Sequence, residues 1–210
     1  MNDFKPFYRR NLPHFQQDRA IYFVTTRLDG SLPKEVILKL AHENEEVISQ
    51  IKLSDKSDYE KGKLIDEQQR RHFGKFDKCL DAVTNGNHWL KQPEIAKVVM
   101  DAVHFRDRKQ YELICYTIMS NHIHIVFTIL NENINLYTVL QRLKQFTATE
   151  ANKLLNRRGA FWQEESYDRI VRDGKELKRI ILYVLNNPVK IGLVEDWRDY
   201  PFCYVNENYL

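Results

Sequence analysis

The sequence predicts an α+β fold, an antiparallel sheet with helices on one face. Three observations predict it. A β-rich run, Ala20–Leu28, stands early in the chain, and two adjacent β-rich runs, Tyr111–Met119 and His122–Leu130, stand near its middle. Only Ser120-Asn121 separates the latter two, short enough for a tight hairpin. Helical periodicity fills the intervals on either side of that hairpin. Strands and helices mixed in this order give the split β-α-β-β-α-β plan.

Each element has a local reason. Ala20–Leu28 reads AIYFVTTRL, aromatic and β-branched, and stops at the turn signal Asp29-Gly30-Ser31. Pro33 opens a helical pattern with Val36, Ile37, Leu40, Val47 and Ile51 on one stripe. Lys52–Lys63 is polar and reads as a loop, and Leu64–Val83 as a charged helix broken by Asn85-Gly86-Asn87. Pro93 begins a further helix with Ile95, Val98, Val99, Ala102 and Val103 facing inward, ended by a turn at Asp107–Lys109. After the hairpin and the polar loop Asn131–Asn135, Leu136–Asn156 is a long amphipathic helix closed by Arg157-Arg158-Gly159. Phe161–Val171 is compatible with a strand or an extended segment, and Lys175–Asn187 reads as a helix closed by Pro188. The interval from about 33 to 109 is long for one crossover. It is read as a helical elaboration within a single domain spanning 1–210.

Composition sets the bounds. A chain of 210 residues with 43% hydrophobic and 29% charged residues has enough apolar material for one core, which excludes disorder as its main state. No apolar run approaches the roughly 20 residues of a membrane helix, and Met1–Arg10 lacks the apolar stretch of a secretory signal. Three widely spaced cysteines, Cys79, Cys115 and Cys203, argue against a disulfide framework, so the expected location is the cytoplasm with no membrane partner. Net charge is only +3, but Gln141–Ile191 holds eleven Lys/Arg against six Asp/Glu, whereas the rest holds 21 against 23. The basic excess therefore lies in the C-terminal third.

Two constellations carry chemistry. In His122-Ile123-His124 the imidazoles project to one face of a strand, while Ile123, Ile125 and Phe127 project to the other. Paired imidazoles suit a divalent metal, although two incidental histidines on a strand face give the same pattern. In Tyr183–Pro188, YVLNNP, Tyr183 and Asn187 lie four apart on a helix, with Arg179 one turn earlier. An amphipathic tyrosine with an asparagine cap gives that pattern too. Taken together, a metal held by two imidazoles and an amide oxygen polarises a phosphodiester, and a tyrosine is a matching nucleophile. The basic residues Arg142, Lys144, Lys153, Arg157, Arg158, Arg169, Arg172, Lys178, Arg179 and Lys190 could track a phosphate backbone. Phe161, Trp162 and Tyr167 could stack unpaired bases or pack in the core. His14, His42, His72, His88 and His104 show no ligand spacing and read as surface or packing residues; Cys115 reads as core. Asn121 either helps hold the histidine pair or is a plain turn residue.

His-hydrophobic-His after Met119-Ser120-Asn121, followed by Leu143-Lys144, Phe161-Trp162-Gln163, Tyr167-Asp168-Arg169, Arg172-Asp173 and Tyr183–Pro188, resembles the single-tyrosine HUH transposases. Among their branches it is most similar to the REP-associated tyrosine transposases, and Tyr22–Pro33 and Trp197–Phe202 share in the resemblance. The resemblance implies a ferredoxin-like fold with the histidine pair on a central strand. It implies Mg²⁺ or Mn²⁺ on His122, His124 and Asn187, and Tyr183 as the nucleophile on single-stranded DNA, leaving a 5′-phosphotyrosine and a free 3′-hydroxyl. The implied partner is single-stranded DNA or a DNA hairpin, and the implied assembly a monomer or homodimer. Tyr167 is the rival nucleophile. Two other readings stand beside the transposase: a DNA-hairpin-binding protein of the same fold without transposition, and an unrelated metal-dependent hydrolase.

Overall fold

The computed structural model describes residues 20–131 and 133–210, together with the backbone of two short paired strands, β1 (Phe7–Arg9) and β2 (Pro13–Phe15). The readings of Met1–Arg10 as lacking a signal and of the His14 side chain lie outside the residues so described. The chain forms two compact units, one of residues 1–29 and 88–210, the other of residues 30–87.

The first unit is built on a five-stranded sheet of β3 (Ile21–Arg27), β4 (Tyr111–Ile118), β5 (His122–Ile129), β6 (Tyr167–Val171) and β7 (Cys203–Val205). Its order is β6-β3-β5-β4-β7, antiparallel at every pair. Without the edge strand β7 this is the order expected of the split plan, the first strand lying between the third and the fourth. The Ser120-Asn121 turn closes the β4–β5 hairpin, with Met119 N–H donating to the His122 carbonyl at 2.8 Å.

Alternation sorts the strands into two faces. Tyr22, Val24, Leu113, Ile123, Ile125 and Phe127 share one buried face with Ile95, Val99 and Val103 of α3 (Pro93–Arg106) and Leu136, Val139 and Leu140 of α4 (Leu136–Leu154). Fully burying each such side chain is worth roughly 1.5–3 kcal/mol, so this layer is the main source of stability. On the opposite face α5 (Gly174–Leu185) crosses β4 and β5, with the Thr117 hydroxyl donating to the Val184 carbonyl at 2.7 Å. Thus α3 and α4 cover one face as expected, and α5 occupies the face that carries the histidines.

The second unit pairs α1 (Lys34–Leu53) with α2 (Asp58–Ala82), tied by Lys75 to Glu43 at 2.9 Å and Gln68 to Asn44 at 3.1 Å. The helix α2 starts six residues before the expected Leu64. Ser57 and Glu60 form a reciprocal capping box, a local signal present in the Ser-x-x-Glu spacing.

Two boundaries differ near the C-terminus. Pro188 does not close a helix running to Asn187. Instead α5 ends at Leu185, and Asn187 begins a short helix, α6 (Asn187–Lys190), with Pro188 in its first turn. Proline is tolerated there because its missing N–H has no helical acceptor to lose. The strand β7 has only three residues, too few to show a period in sequence. Among the described residues no helix is long and apolar enough to cross a membrane.

Candidate active site

One row of side chains crosses the face beneath α5. Register sets Tyr167, Thr25, His124, Thr117 and Cys203 side by side from β6 to β7, and Arg27 opposite His122. His122 and His124 are buried, and their Nε2 atoms are 3.1 Å apart. Each Nδ1 has a partner. That of His122 lies 2.7 Å from the Asn121 Oδ1, an acceptor, so it carries the hydrogen and leaves Nε2 with its lone pair. That of His124 lies 2.8 Å from the Thr25 hydroxyl, which either donates or accepts. His124 can therefore hold two tautomers. In one its Nε2–H donates to His122; in the other both Nε2 lone pairs face a common point, which is the arrangement a divalent cation needs. Moving between them requires no net proton. Asn121 is thus a geometric support, fixed in turn by Leu28 N–H donating to its carbonyl at 2.8 Å.

Tyr183 and Asn187 arrive from the other layer. The Tyr183 ring is 5.6 Å from the His124 ring at 62° and 6.1 Å from Phe23 at 88°. Tyr167 also meets Phe23, at 6.3 Å, so both phenols border this site. Asn187 is fully buried, and its Nδ2 donates to the Tyr183 carbonyl at 3.0 Å. Its Oδ1 is buried with no hydrogen-bond partner among the described residues. A buried carboxamide oxygen left in that state costs about 1–3 kcal/mol, and it is the hard donor that Mg²⁺ or Mn²⁺ prefers. Two imidazoles and a buried amide oxygen are donor types that a divalent cation takes.

The other predicted residues divide by environment. Arg142, Arg158, Arg179 and Lys190 are exposed, and the Lys190 ammonium is 5.9 Å from the Tyr183 ring centroid. Arg157 lies over the Trp89 ring at 4.0 Å. Lys144 is instead engaged inward: its ammonium donates to the Gln163 and Glu164 carbonyls, both at 3.0 Å, and burial pulls its pKa down to about 8. Arg169 and Arg172 pair with the buried Glu176 at 2.6 and 3.3 Å. Burial pushes the Glu176 carboxyl up, but hydrogen bonds from the Arg172 backbone and both guanidinium groups outweigh it and hold the group at about 2. Trp162 is 8% exposed, and its indole N–H donates to the Thr147 hydroxyl at 2.8 Å. It packs as a core plug, one of the two readings open for it in the sequence, and indole bulk suits the core.

Two residues at the site carried no sequence signal. Thr25 and Arg27 gain their positions only from the β3–β5 register. Arg27 is buried, and burial lowers its basicity while Asp29 opposes the shift.

The site is thus a split sheet with paired imidazoles on its central strand and a tyrosine-bearing helix across them. Residues 86–187, just under half of the chain, match the family model described as transposase IS200 like. Individual relatives narrow the likeness. Over 101 residues the chain is 29% identical to a Haemophilus influenzae protein described as a REP-associated tyrosine transposase, covering 44% of this chain and 57% of that relative. The chain thus spans little more than half the length of the curated relative it matches. The solved structure of a REP-associated tyrosine transposase bound to a REP hairpin is similar with a TM-score of 0.51 and 15% identity, over 93% of this chain and 80% of that one. At that identity the likeness is one of fold. The resemblance read from the sequence holds at the level of the family.

Proposed function

We propose that this chain is a transposase-type enzyme that cuts and rejoins single-stranded DNA beside a hairpin through a covalent tyrosine intermediate. The observation that carries the reading is the Tyr183 ring lying 5.6 Å from His124, whose Nε2 is 3.1 Å from that of His122. Tyr183 Oη attacks the scissile phosphorus. A phosphorus–oxygen bond forms to the phenol oxygen, which gives up its proton; the bond to the 3′ oxygen breaks, and that oxygen takes up a proton in turn and leaves as a 3′-hydroxyl. The product is a 5′-phosphotyrosine, which keeps the phosphodiester energy for rejoining when another 3′-hydroxyl attacks. His122, His124 and Asn187 would hold Mg²⁺ or Mn²⁺, which when bound polarises the phosphodiester and offsets charge on its non-bridging oxygens.

The remaining residues position and neutralise. A free phenol has a pKa near 10, so nearby cations matter; Lys190 and Arg179 supply them along the tyrosine-bearing segment. Arg27, opposite His122 in the β3–β5 register, supplies a further cation beside the pair. Arg142, Arg157 and Arg158 contact the DNA backbone. Lys144, Arg169 and Arg172 act one step back, fixing the 163–164 segment and the start of α5. Tyr167 borders the substrate strand. The chain is read as one transposase-like domain in which the helical segment between β3 and β4 is an elaboration, working in the cytoplasm as a monomer or homodimer.

The test is adduct formation. Wild-type protein, hairpin DNA with single-stranded flanks and Mn²⁺ should give a protein–DNA species that survives denaturing electrophoresis. Chelation with EDTA and Tyr183→Phe should each abolish it, and Tyr167→Phe should leave it. Hairpin binding without any adduct from wild type would favour a DNA-binding protein of this fold instead.

A further inference from the structure

Lys144 is held where a positive charge is costly. It projects from α4 onto the segment that precedes β6, and its Nζ donates to the Gln163 and Glu164 carbonyls, both at 3.0 Å. Among the described residues it has no third hydrogen-bond acceptor. An ammonium has three N–H donors, whereas a neutral amine has two and a lone pair. The two carbonyls therefore satisfy the neutral form in full and leave its lone pair directed away from them. Burial is the largest influence on this amine and pulls its pKa down to about 8. Glu165, Asp168 and Glu164 oppose that shift, and Arg27 of β3 adds to it. At pH 7.5 roughly a quarter of such amines are neutral, against about one in a thousand for an ordinary lysine.

The amine is reachable. Lys144 is partly exposed and lines a cavity of about 480 Å³, the scale of a small-molecule pocket. Leu140, Ala148, Phe161 and Trp162 give the cavity apolar walls, and Gln141 and Gln145 add amide groups. Its other charged lining residues are Glu164, Glu165 and Asp168, all carboxylates. Such a lining repels an anionic guest and admits an uncharged one with an apolar end. The cavity is distinct from the imidazole site, because α4 covers the sheet face opposite the histidines.

What Lys144 holds is fastened to the sheet. Gln163 N–H donates to the Arg27 carbonyl at 2.9 Å, at the end of β3 where Arg27 stands opposite His122. An amine that loses one N–H to a new bond can keep only one of its two carbonyls.

We propose that Lys144 is an acylation site for small uncharged acyl thioesters, and that acylation loosens the 163–164 segment. The Nζ lone pair attacks the acyl carbon. A nitrogen–carbon bond forms, the carbon–sulfur bond breaks, and the sulfur leaves as a thiol with the proton that the nitrogen gives up. The product is a neutral amide with one N–H. This inference stands apart from the DNA-cutting reading and is tested without DNA.

The probe is the acetyl thioester of N-acetylcysteamine, with acetyl phosphate as the anionic comparison, each incubated with the full chain at pH 7.5. Peptide mass spectrometry gives the acetylation rate at each lysine, and the exposed Lys34, Lys91 and Lys175 set the baseline. With the thioester, Lys144 should react about tenfold faster than their median, the larger neutral fraction outweighing the weaker nucleophilicity of a less basic amine. Its rate should be half-maximal near pH 8. With acetyl phosphate the lead should vanish. A Lys144 rate at or below the baseline with the thioester, or an equal lead with both donors, overturns the proposal. The consequence has its own readout. Amide hydrogen exchange in the 161–166 peptide should rise about fivefold on acylation. Lys144→Arg, which keeps the cation and its N–H donors, should show no such rise under the same treatment. Unchanged exchange in fully acylated wild type, or an equal rise in Lys144→Arg, overturns the loosening.

Discussion

Replacing Glu176 by Gln keeps the shape of a buried side chain and removes its charge. Glu176 is 3% exposed. One oxygen takes Arg169 at 2.6 Å, the other takes the Arg172 N–H at 2.9 Å and Nε at 3.3 Å, and its own N–H donates to the Asp173 cap at 2.8 Å. These bonds hold the carboxyl at about 2 against an ordinary 4.5. A gap of that size converts at about 1.36 kcal/mol per unit to roughly 3 kcal/mol, and the half-exposed Arg172 reduces it to about 2 kcal/mol. The sign follows from the depressed value. The stabilisation is present above about pH 4.5 and is lost as pH falls towards 2, because the unfolded chain takes up the proton first. Glu176→Gln should therefore lower the melting temperature at pH 7 by roughly 4–8 °C for a chain of this size. The two urea-unfolding curves should converge as pH is taken from 5 to 3. Equal stabilities at pH 7, or a gap that does not shrink with acid, would show that the pairs on Glu176 contribute nothing to anchoring α5.

Other perturbations probe other layers. Thr25→Val removes the oxygen beside His124 Nδ1 and should weaken Mn²⁺ binding by about tenfold in a calorimetric titration, as outer-shell losses at metal-bound imidazoles do; unchanged affinity contradicts the tautomer argument. Trp162→Phe deletes the bond to Thr147 and should cost about 1–2 kcal/mol in urea unfolding, whereas an exposed stacking residue would cost almost nothing. Burial depresses Lys144 to about 8 from 10.5, so the folded state releases its proton first and stability from this group rises between those values; Lys144→Met should flatten that part of the stability profile, and a profile parallel to wild type would contradict it.

What could be read from residues alone followed local periodicity. The β4–β5 hairpin was legible because two β-branched runs flank a two-residue turn, and α4 because its apolar stripe ends at a basic pair and a glycine. The face shared by His122 and His124 follows from strand alternation alone. Thr25 and Arg27 were not legible as site residues, because their neighbours come from register between strands about a hundred residues apart. Lys144, Arg169 and Arg172 look like surface cations in sequence, yet the fold turns them onto carbonyls and a carboxylate. The split of the last helix at Asn186 was hidden because proline reads equally as a stop and as a first-turn residue.

The central claim is that the phenol beside the imidazole pair is the group that takes the DNA. Protein trapped on hairpin DNA with Mn²⁺, digested with nuclease and protease, yields a peptide whose nucleotide-bearing tyrosine can be located by mass spectrometry. The remnant is expected on Tyr183. A remnant on Tyr167, or adduct carried by no tyrosine at all, would contradict the account.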